Sequence, residues 1–341
     1  MGVMSEPMIT THELTRHFAV GKHTLEAVRG LDLTVERGEL VALLGPNGAG
    51  KSTTLRMLTT LIAPTAGTAR VAGHDVTTEP RQVRRRIGYI GQGNGAGHQQ
   101  RGRDELVSHG RAYGLDRATA RRRAAELVGS LDLDEVADRK VSSLSGGQRR
   151  RLDIAMGLMH GPDLLFLDEP STGLDPQNRA NLQEHVVALR ARFGTTVVLT
   201  THYLDEADSL AERVVVIDHG AVVADDTPDR LKAVHATDRM RLGLGSATDA
   251  ELAAARVASA HPAARVVLAG CQVAVEMTGA TVALPPLVHD LHAAGVPVRS
   301  AEVTRPTLDD VFLALTGRSL REGHSEAAGQ PIETETEEVA A

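Results

Sequence analysis

Gly45-Pro46-Asn47-Gly48-Ala49-Gly50-Lys51-Ser52, followed by Thr53, decides the fold. The octet fits G-x-x-x-x-G-K-S/T in the context that motif needs, a strand before it and a helix after it. Glu39–Leu44 is a short apolar strand, and Leu55, Met57, Leu58, Leu61 and Ile62 space the buried face of a helix. Glycines let backbone N–H groups converge on one point, and the helix N-terminus adds partial positive charge. Lys51 supplies a full charge, and the Ser52 hydroxyl can ligate Mg²⁺. The stretch implies a bound nucleoside triphosphate.

The 341 residues allow about two domains. With 42% hydrophobic and 2% aromatic residues and no Trp, the core must be aliphatic. No apolar run approaches the ~18 residues of a membrane span, and Met1–Pro7 lacks the pattern of a secretory signal. Cys271 is the only cysteine, which excludes an internal disulfide or a cysteine metal cluster; it is expected to be a small buried hydrophobe. The chain reads as cytosolic. Of the net charge of −7, Glu322, Glu326, Glu333, Glu335, Glu337 and Glu338 contribute most, with no Lys or Arg among residues 322–341. Residues 319–341 therefore read as a disordered acidic tail. The nearly neutral remainder gives no sign of a nucleic-acid partner.

Residues 8–44 alternate apolar and polar in short runs, with turns expected at Gly30 and Gly38, and predict an antiparallel β subdomain. Phe18, in the first connection, is either a hydrophobic anchor or a ring that stacks on the base. Pro64–Thr68 reads as a turn before a strand at Ala69–Val71, Gln82–Arg86 as a basic helix, and Ile87–Ile90 as a strand reaching Gln92. The glycine-rich Gly93–Gly102 must be a loop, and Asp104–Tyr113 and Arg117–Leu131 are helical. Ser145-Gly146-Gly147-Gln148 opens another helix and is a second potential anion site. Leu164–Leu167 is apolar throughout, as in a strand buried on both faces, and ends in Asp168-Glu169, where α/β proteins bind ligands. Asp175-Pro176 starts a helix, and His202 follows the β run Thr195–Thr200. The arginine triplets at 84–86 and 121–123, and the remaining histidines, read as surface residues. From residue 238 the pattern changes to short β and α pieces that predict a small α+β domain with an antiparallel sheet. The organisation is 8–237, 238–318 and the tail 319–341.

In this order and spacing, residues 8–235 resemble the ATP-binding subunit of an ABC transporter. The resemblance implies a P-loop α/β nucleotide-binding domain with a parallel core sheet, an antiparallel β subdomain and a helical subdomain. It implies that Gly45–Thr53 holds the phosphates, and that Ser52, Asp168 and Gln92 face Mg²⁺. Glu169 becomes the general base for the attacking water, His202 the sensor of the γ-phosphate and Phe18 the ring on adenine. Asp175 falls at the dimer contact, and Ser145–Gln148 meets the ATP of an opposite subunit. ATP would then join two subunits head to tail, and a separate integral membrane permease would dock beside the Gln92 loop on the cytoplasmic side of the membrane. Arg305–Arg318 looks like the ending of the daunorubicin-resistance type of exporter subunit, whose partner is an ABC-2-type permease; from the residues alone it is an amphipathic helix. Gly93-Asn94-Gly95-Ala96-Gly97-His98-Gln99-Gln100 is more polar than in such relatives. Competing readings are an ATPase for another cargo, such as a polysaccharide or imported solute, and a soluble ATPase of DNA repair or translation. The close spacing of the motifs, the single cassette and the lack of cysteine ligands weigh against the last.

Overall fold

Alternating residues from Met8 onward build an antiparallel layer. In it β1 (Ile9–Val20) pairs with β2 (His23–Val35) and with β4 (Ala66–Val71), and the short β5 (His74–Asp75) lies at the edge. Ile9, Leu14, Val28, Leu31, Leu33 and Val35 are buried, because one face of this sheet meets the core. Two glycine-containing segments differ from the sequence reading. Gly30 and Gly67 lie inside β2 and β4, with φ of 60° and 78°, and the hairpin turns at Gly21-Lys22 instead. Opposite them β1 is irregular between Thr11 and Arg16. A Cβ on Gly67 would fall 2.1 Å from the Glu13 carbonyl oxygen, so here glycine admits a bulged strand rather than reversing the chain.

The central sheet has the order β10-β9-β3-β8-β7-β6. Its members β3 (Leu40–Leu44), β6 (Ile87–Ile90), β7 (Leu164–Asp168), β8 (Thr196–Thr201) and β9 (Arg213–Asp218) are parallel, and β10 (Ala221–Asp226) is an antiparallel edge. β3 and β7 are buried at every position, as their unbroken apolar sequences require. Helix α1 (Lys51–Leu58) follows β3, and α2 (Pro80–Arg86) precedes β6. Then come α3 (Gly102–Ala112), α4 (Arg117–Ser130) and α5 (Gly146–Leu158), with α6 (Pro176–Phe193) and α7 (Leu204–Leu210) on either side of β8. The chain leaves the carboxyl ends of β3, β8, β7 and β6 through Gly45, His202, Glu169 and Gly91-Gln92, so one sheet edge gathers the motifs. His185 on α6 is buried rather than at the surface, because it shares the inward face of that helix with Leu182, Val186 and Leu189; Arg151 of α5 lies 3.2 Å from its Nε2.

The computed structural model describes residues 6–93, 95–97 and 99–318. The tail 319–341 lies outside them, as do Asn94 and His98 of the glycine-rich loop. The chain divides into a unit up to Pro228 and a unit from Asp229, earlier than the change in sequence pattern at 238. Helix α8 (Pro228–His235) accounts for the difference: its Lys232 and Ala233, with Ala236 just beyond its end, line one cavity with Thr278, Gly279 and Arg305. The second unit continues with β11 (Asp238–Leu244), α9 (Ala247–Ala260), β12 (Arg265–Ala269) and β13 (Gln272–Met277), then α10 (Ala280–Ala293), β14 (Val298–Thr304) and α11 (Leu308–Thr316). Its antiparallel sheet, β12-β13-β11-β14, buries Met240, Leu242, Val273 and Val275 against Leu287 and Leu291 of α10. Helix α10 starts at Ala280 rather than Leu284; Pro285 and Pro286 lie inside it and hid its first turn. Cys271 is exposed, not buried, because it sits in the turn joining β12 to β13.

Candidate active site

The phosphate loop is shaped by close backbone approaches. A Cβ on Gly45 would meet the Ile217 carbonyl oxygen at 2.1 Å, and one on Gly50 the Ala27 carbonyl oxygen at 2.4 Å. Gly50 caps α1 at φ 101° without a side-chain hydrogen bond, which leaves the first-turn N–H groups for an anion. Asn47 and Gly48 are exposed at the tip, Pro46 is half-buried, and Ala49 packs inward. Lys51, 4% exposed, folds back over the loop. Its Nζ donates to the Gly45 carbonyl at 2.7 Å and the Pro46 carbonyl at 3.0 Å, and lies 3.8 Å from Glu169 Oε1. Burial pulls the ammonium below its ordinary pKa, against the opposing effect of Glu169 and Asp168.

Asp168 is the hub. Its Oδ1 accepts from Ser52 Oγ at 2.8 Å and from Thr200 Oγ1 at 2.7 Å, and its Oδ2 from the Tyr89 hydroxyl at 3.4 Å. Gln92 Nε2 donates to Ser52 Oγ at 3.3 Å. Ser52, Asp168 and Gln92 therefore form one cluster. Hydroxyl, carboxylate and amide oxygen are hard donors of the kind Mg²⁺ takes together with phosphate and water. The set fits the ion.

Glu169 has φ 46°. For a residue with a Cβ, this left-handed conformation costs about 1–3 kcal/mol and persists only where neighbours hold it. Its N–H donates to Thr200 Oγ1 at 2.9 Å and to the Thr200 carbonyl at 3.2 Å. Its Oε2 accepts from Thr172 Oγ1 at 3.1 Å and lies 3.4 Å from His202 Nδ1. The His202 contact holds the Glu169 carboxyl below its ordinary range although burial pushes the other way. A carboxylate ionised at neutral pH, between Lys51 and His202 at the mouth of the phosphate loop, can accept a proton from water.

The remaining sequence candidates lie elsewhere. Ser145 and Gln148 form a capping box on α5: Gln148 N donates to Ser145 Oγ at 3.3 Å and Ser145 N to Gln148 Oε1 at 3.0 Å. Gly147 packs so tightly on Asn178 that a Cβ would lie 2.5 Å from Asn178 Oδ1, while Gly146 is exposed. Asp175 caps α6, accepting from Asn178 N at 2.9 Å and Asn178 Nδ2 at 2.6 Å. Asn178 thus joins these two segments to each other; their described hydrogen bonds do not reach Gly45–Thr53. Phe18 lies within β1 rather than in a connection, opposite Leu25, with the Arg16 guanidinium 4.6 Å from its ring centre. The same hairpin backs Gly50 at Ala27.

The sequence pattern does not single out Thr200, Tyr89 or Arg150. Thr200 and Tyr89 read as ordinary strand residues, and nothing in the sequence around them separates them. Arg150 was hidden in the basic run Arg149–Arg151, although it shares the spacing of buried Gly147 and Ile154 on α5.

A parallel sheet that collects a phosphate loop, Asp168-Glu169, Gln92 and His202 at one edge, with a separate glycine loop capping α5, defines an ATP-binding cassette. Comparison with known proteins gives the family. The ABC transporter pattern matches residues 28–172. The chain is 45% identical over 314 residues to the daunorubicin/doxorubicin resistance ATP-binding protein of Streptomyces peucetius, covering 89% of this chain and 92% of that one. It is 36% identical over 332 residues to a Nod factor export ATP-binding protein of Ralstonia nicotianae, covering 94% and 97%. A solved dimeric ATP-binding cassette bound to ADP and Pi superimposes with TM-score 0.59 at 26% identity, covering 64% of this chain and 98% of that one. The chain belongs to the ABC transporter ATP-binding proteins; it binds ATP and is an ATPase.

Proposed function

We propose that this ATPase energises export through a separate ABC-2-type membrane permease, with a drug, antibiotic or lipid-like compound as cargo. The relatives named for daunorubicin/doxorubicin resistance and for Nod factor export support that direction of transport. Among the described residues no helix is long and apolar enough to cross a membrane. The translocation path then belongs to the partner, and the subunit works as a peripheral protein on the cytoplasmic face. An energising subunit for another cargo remains the alternative.

The observation that carries the mechanism is the placement of Glu169 between Lys51 and His202, beside the Ser52–Asp168 pair. Lys51 and the first-turn N–H groups of α1 hold the phosphates, and Phe18 stacks on adenine. Ser52, Asp168 and Gln92 would hold Mg²⁺, which when bound would neutralise phosphate charge. Glu169 takes the proton of the attacking water, and His202 contacts the γ-phosphate. The described hydrogen bonds of Ser145–Gln148 and Asp175 do not reach their own phosphate loop, and in this reading each completes the site of a second copy or a related subunit in a head-to-tail dimer. The reported dimeric cassette supports this reading.

Glu169→Gln tests it. The amide keeps the binding groups and removes the base, so turnover falls about 10²–10⁴-fold while ATP-dependent dimers accumulate on size exclusion. Turnover at the wild-type rate would sink the assignment.

A further inference from the structure

Arg150 lies in α5, 8% exposed, with its guanidinium fork aimed at backbone rather than at any carboxylate. Nη1 donates to the Gly91 carbonyl at 2.7 Å, Nε to the Pro170 carbonyl at 2.8 Å and Nη2 to the Asp168 carbonyl at 3.2 Å. Gly91 immediately precedes Gln92, and Asp168 and Pro170 flank Glu169. One side chain therefore holds the peptide entering the strained Glu169, the Pro170–Ser171 peptide just after it and the peptide leading into Gln92. One turn further along α5, Asp153 Oδ1 accepts from Gly95 N and Ala96 N, each at 3.1 Å, and so holds the far side of the Gln92 loop. A planar guanidinium suits this task because its donors point in fixed, divergent directions; an ammonium on a flexible stem does not keep them there.

We propose that Arg150 is a positioning residue for hydrolysis. It fixes the backbone of Glu169 and Gln92 to the helix whose N-terminus carries Ser145–Gln148, so that movement of that loop on meeting a second subunit's nucleotide is felt at both side chains. The proposal rests on the assignment of Glu169 as the base. It requires no contact between Arg150 and ATP, and therefore separates turnover from binding.

The test compares Arg150→Met and Arg150→Lys in the full chain, measuring kcat and KM for ATP, ATP affinity and thermal unfolding, with Glu169→Gln alongside. Folded R150M should lose at least about tenfold in kcat while KM and ATP affinity stay within about threefold, and R150K should recover part of the loss. Wild-type kcat in folded R150M overturns the proposal, as does a loss that only follows weaker ATP binding. If R150M does not fold, R150K decides: lowered kcat at unchanged KM supports positioning, and wild-type kcat shows that Arg150 serves folding alone. An active E169Q would remove the base assignment whatever Arg150 does; an inactive E169Q beside a fully active R150M removes only the positioning role.

Discussion

Replacing Thr200 with Val keeps the shape of a fully buried side chain and removes one hydroxyl that makes two hydrogen bonds. The first is donated to Asp168 Oδ1 at 2.7 Å, and Asp168 is itself 1% exposed. A hydrogen bond to a charged group contributes about 1.5–3 kcal/mol. The second, from Glu169 N at 2.9 Å, matters less because that N–H keeps the Thr200 carbonyl at 3.2 Å. Asp168 retains Ser52 on Oδ1 and Tyr89 on Oδ2, so its desolvation is only partly uncompensated. The expected destabilisation is about 2 kcal/mol, or about 4–8 °C in melting temperature for a unit of this size. The hydroxyl also orients Asp168 and Glu169, so kcat should fall on the order of tenfold. Thr200→Ser keeps the hydroxyl and should recover most of both effects. Thermal melts and steady-state ATPase assays on the two variants suffice. A Val variant within about 0.5 kcal/mol of wild type, or a Ser variant as damaged as Val, would refute the argument.

Lys51→Ala removes the ammonium that pairs with Gly45, Pro46 and Glu169, and should weaken ATP binding about 10–100-fold, the value of one charge-assisted hydrogen bond to phosphate. Titration with a fluorescent nucleotide checks it, and wild-type affinity would contradict the role. Glu206, 1% exposed on α7, has its carboxyl pushed above the ordinary range by burial, against partial relief from Thr201 and Ser171. The folded state thus binds this proton more tightly than the unfolded one, so wild-type stability declines as pH rises from the ordinary carboxylate range through the raised value. Glu206→Gln removes that decline: the melting difference between variant and wild type should grow in favour of the variant as pH rises above the ordinary carboxylate range. A difference that does not change with pH would show that Glu206 does not titrate there.

What could be read from the residues was the chemistry that is local in sequence. Gly45–Ser52 builds its own anion site, Leu164–Leu167 announces a buried strand, and Asp168-Glu169 follows at its end. In the second unit the alternation of β11 and β13 was equally legible. Features decided by distant neighbours were not. Gly30 and Gly67 serve bulges opposite β1, although a glycine in sequence reads as a turn. Cys271, an apolar residue by composition, is exposed because a two-strand turn gives its side chain nothing to pack against.

The strand order explains why the supports of Asp168 escaped notice while Asp168 itself did not. In the central sheet β7 lies between β8 and β6, and β3 is one strand beyond β8. The parallel register places Asp168 beside Thr200, which lies 32 positions away in sequence, and Ser52 reaches the same oxygen across 116 positions. Tyr89 comes from β6 on the other side, with Gln92 just beyond that strand's end. A carboxylate at the end of an apolar strand is visible as a motif because strand and acid are contiguous. Its donors come from both neighbouring strands and the phosphate-loop helix, so only the topology can name them. Arg150 follows the same logic one layer out, since its acceptors are backbone carbonyls that carry no residue identity.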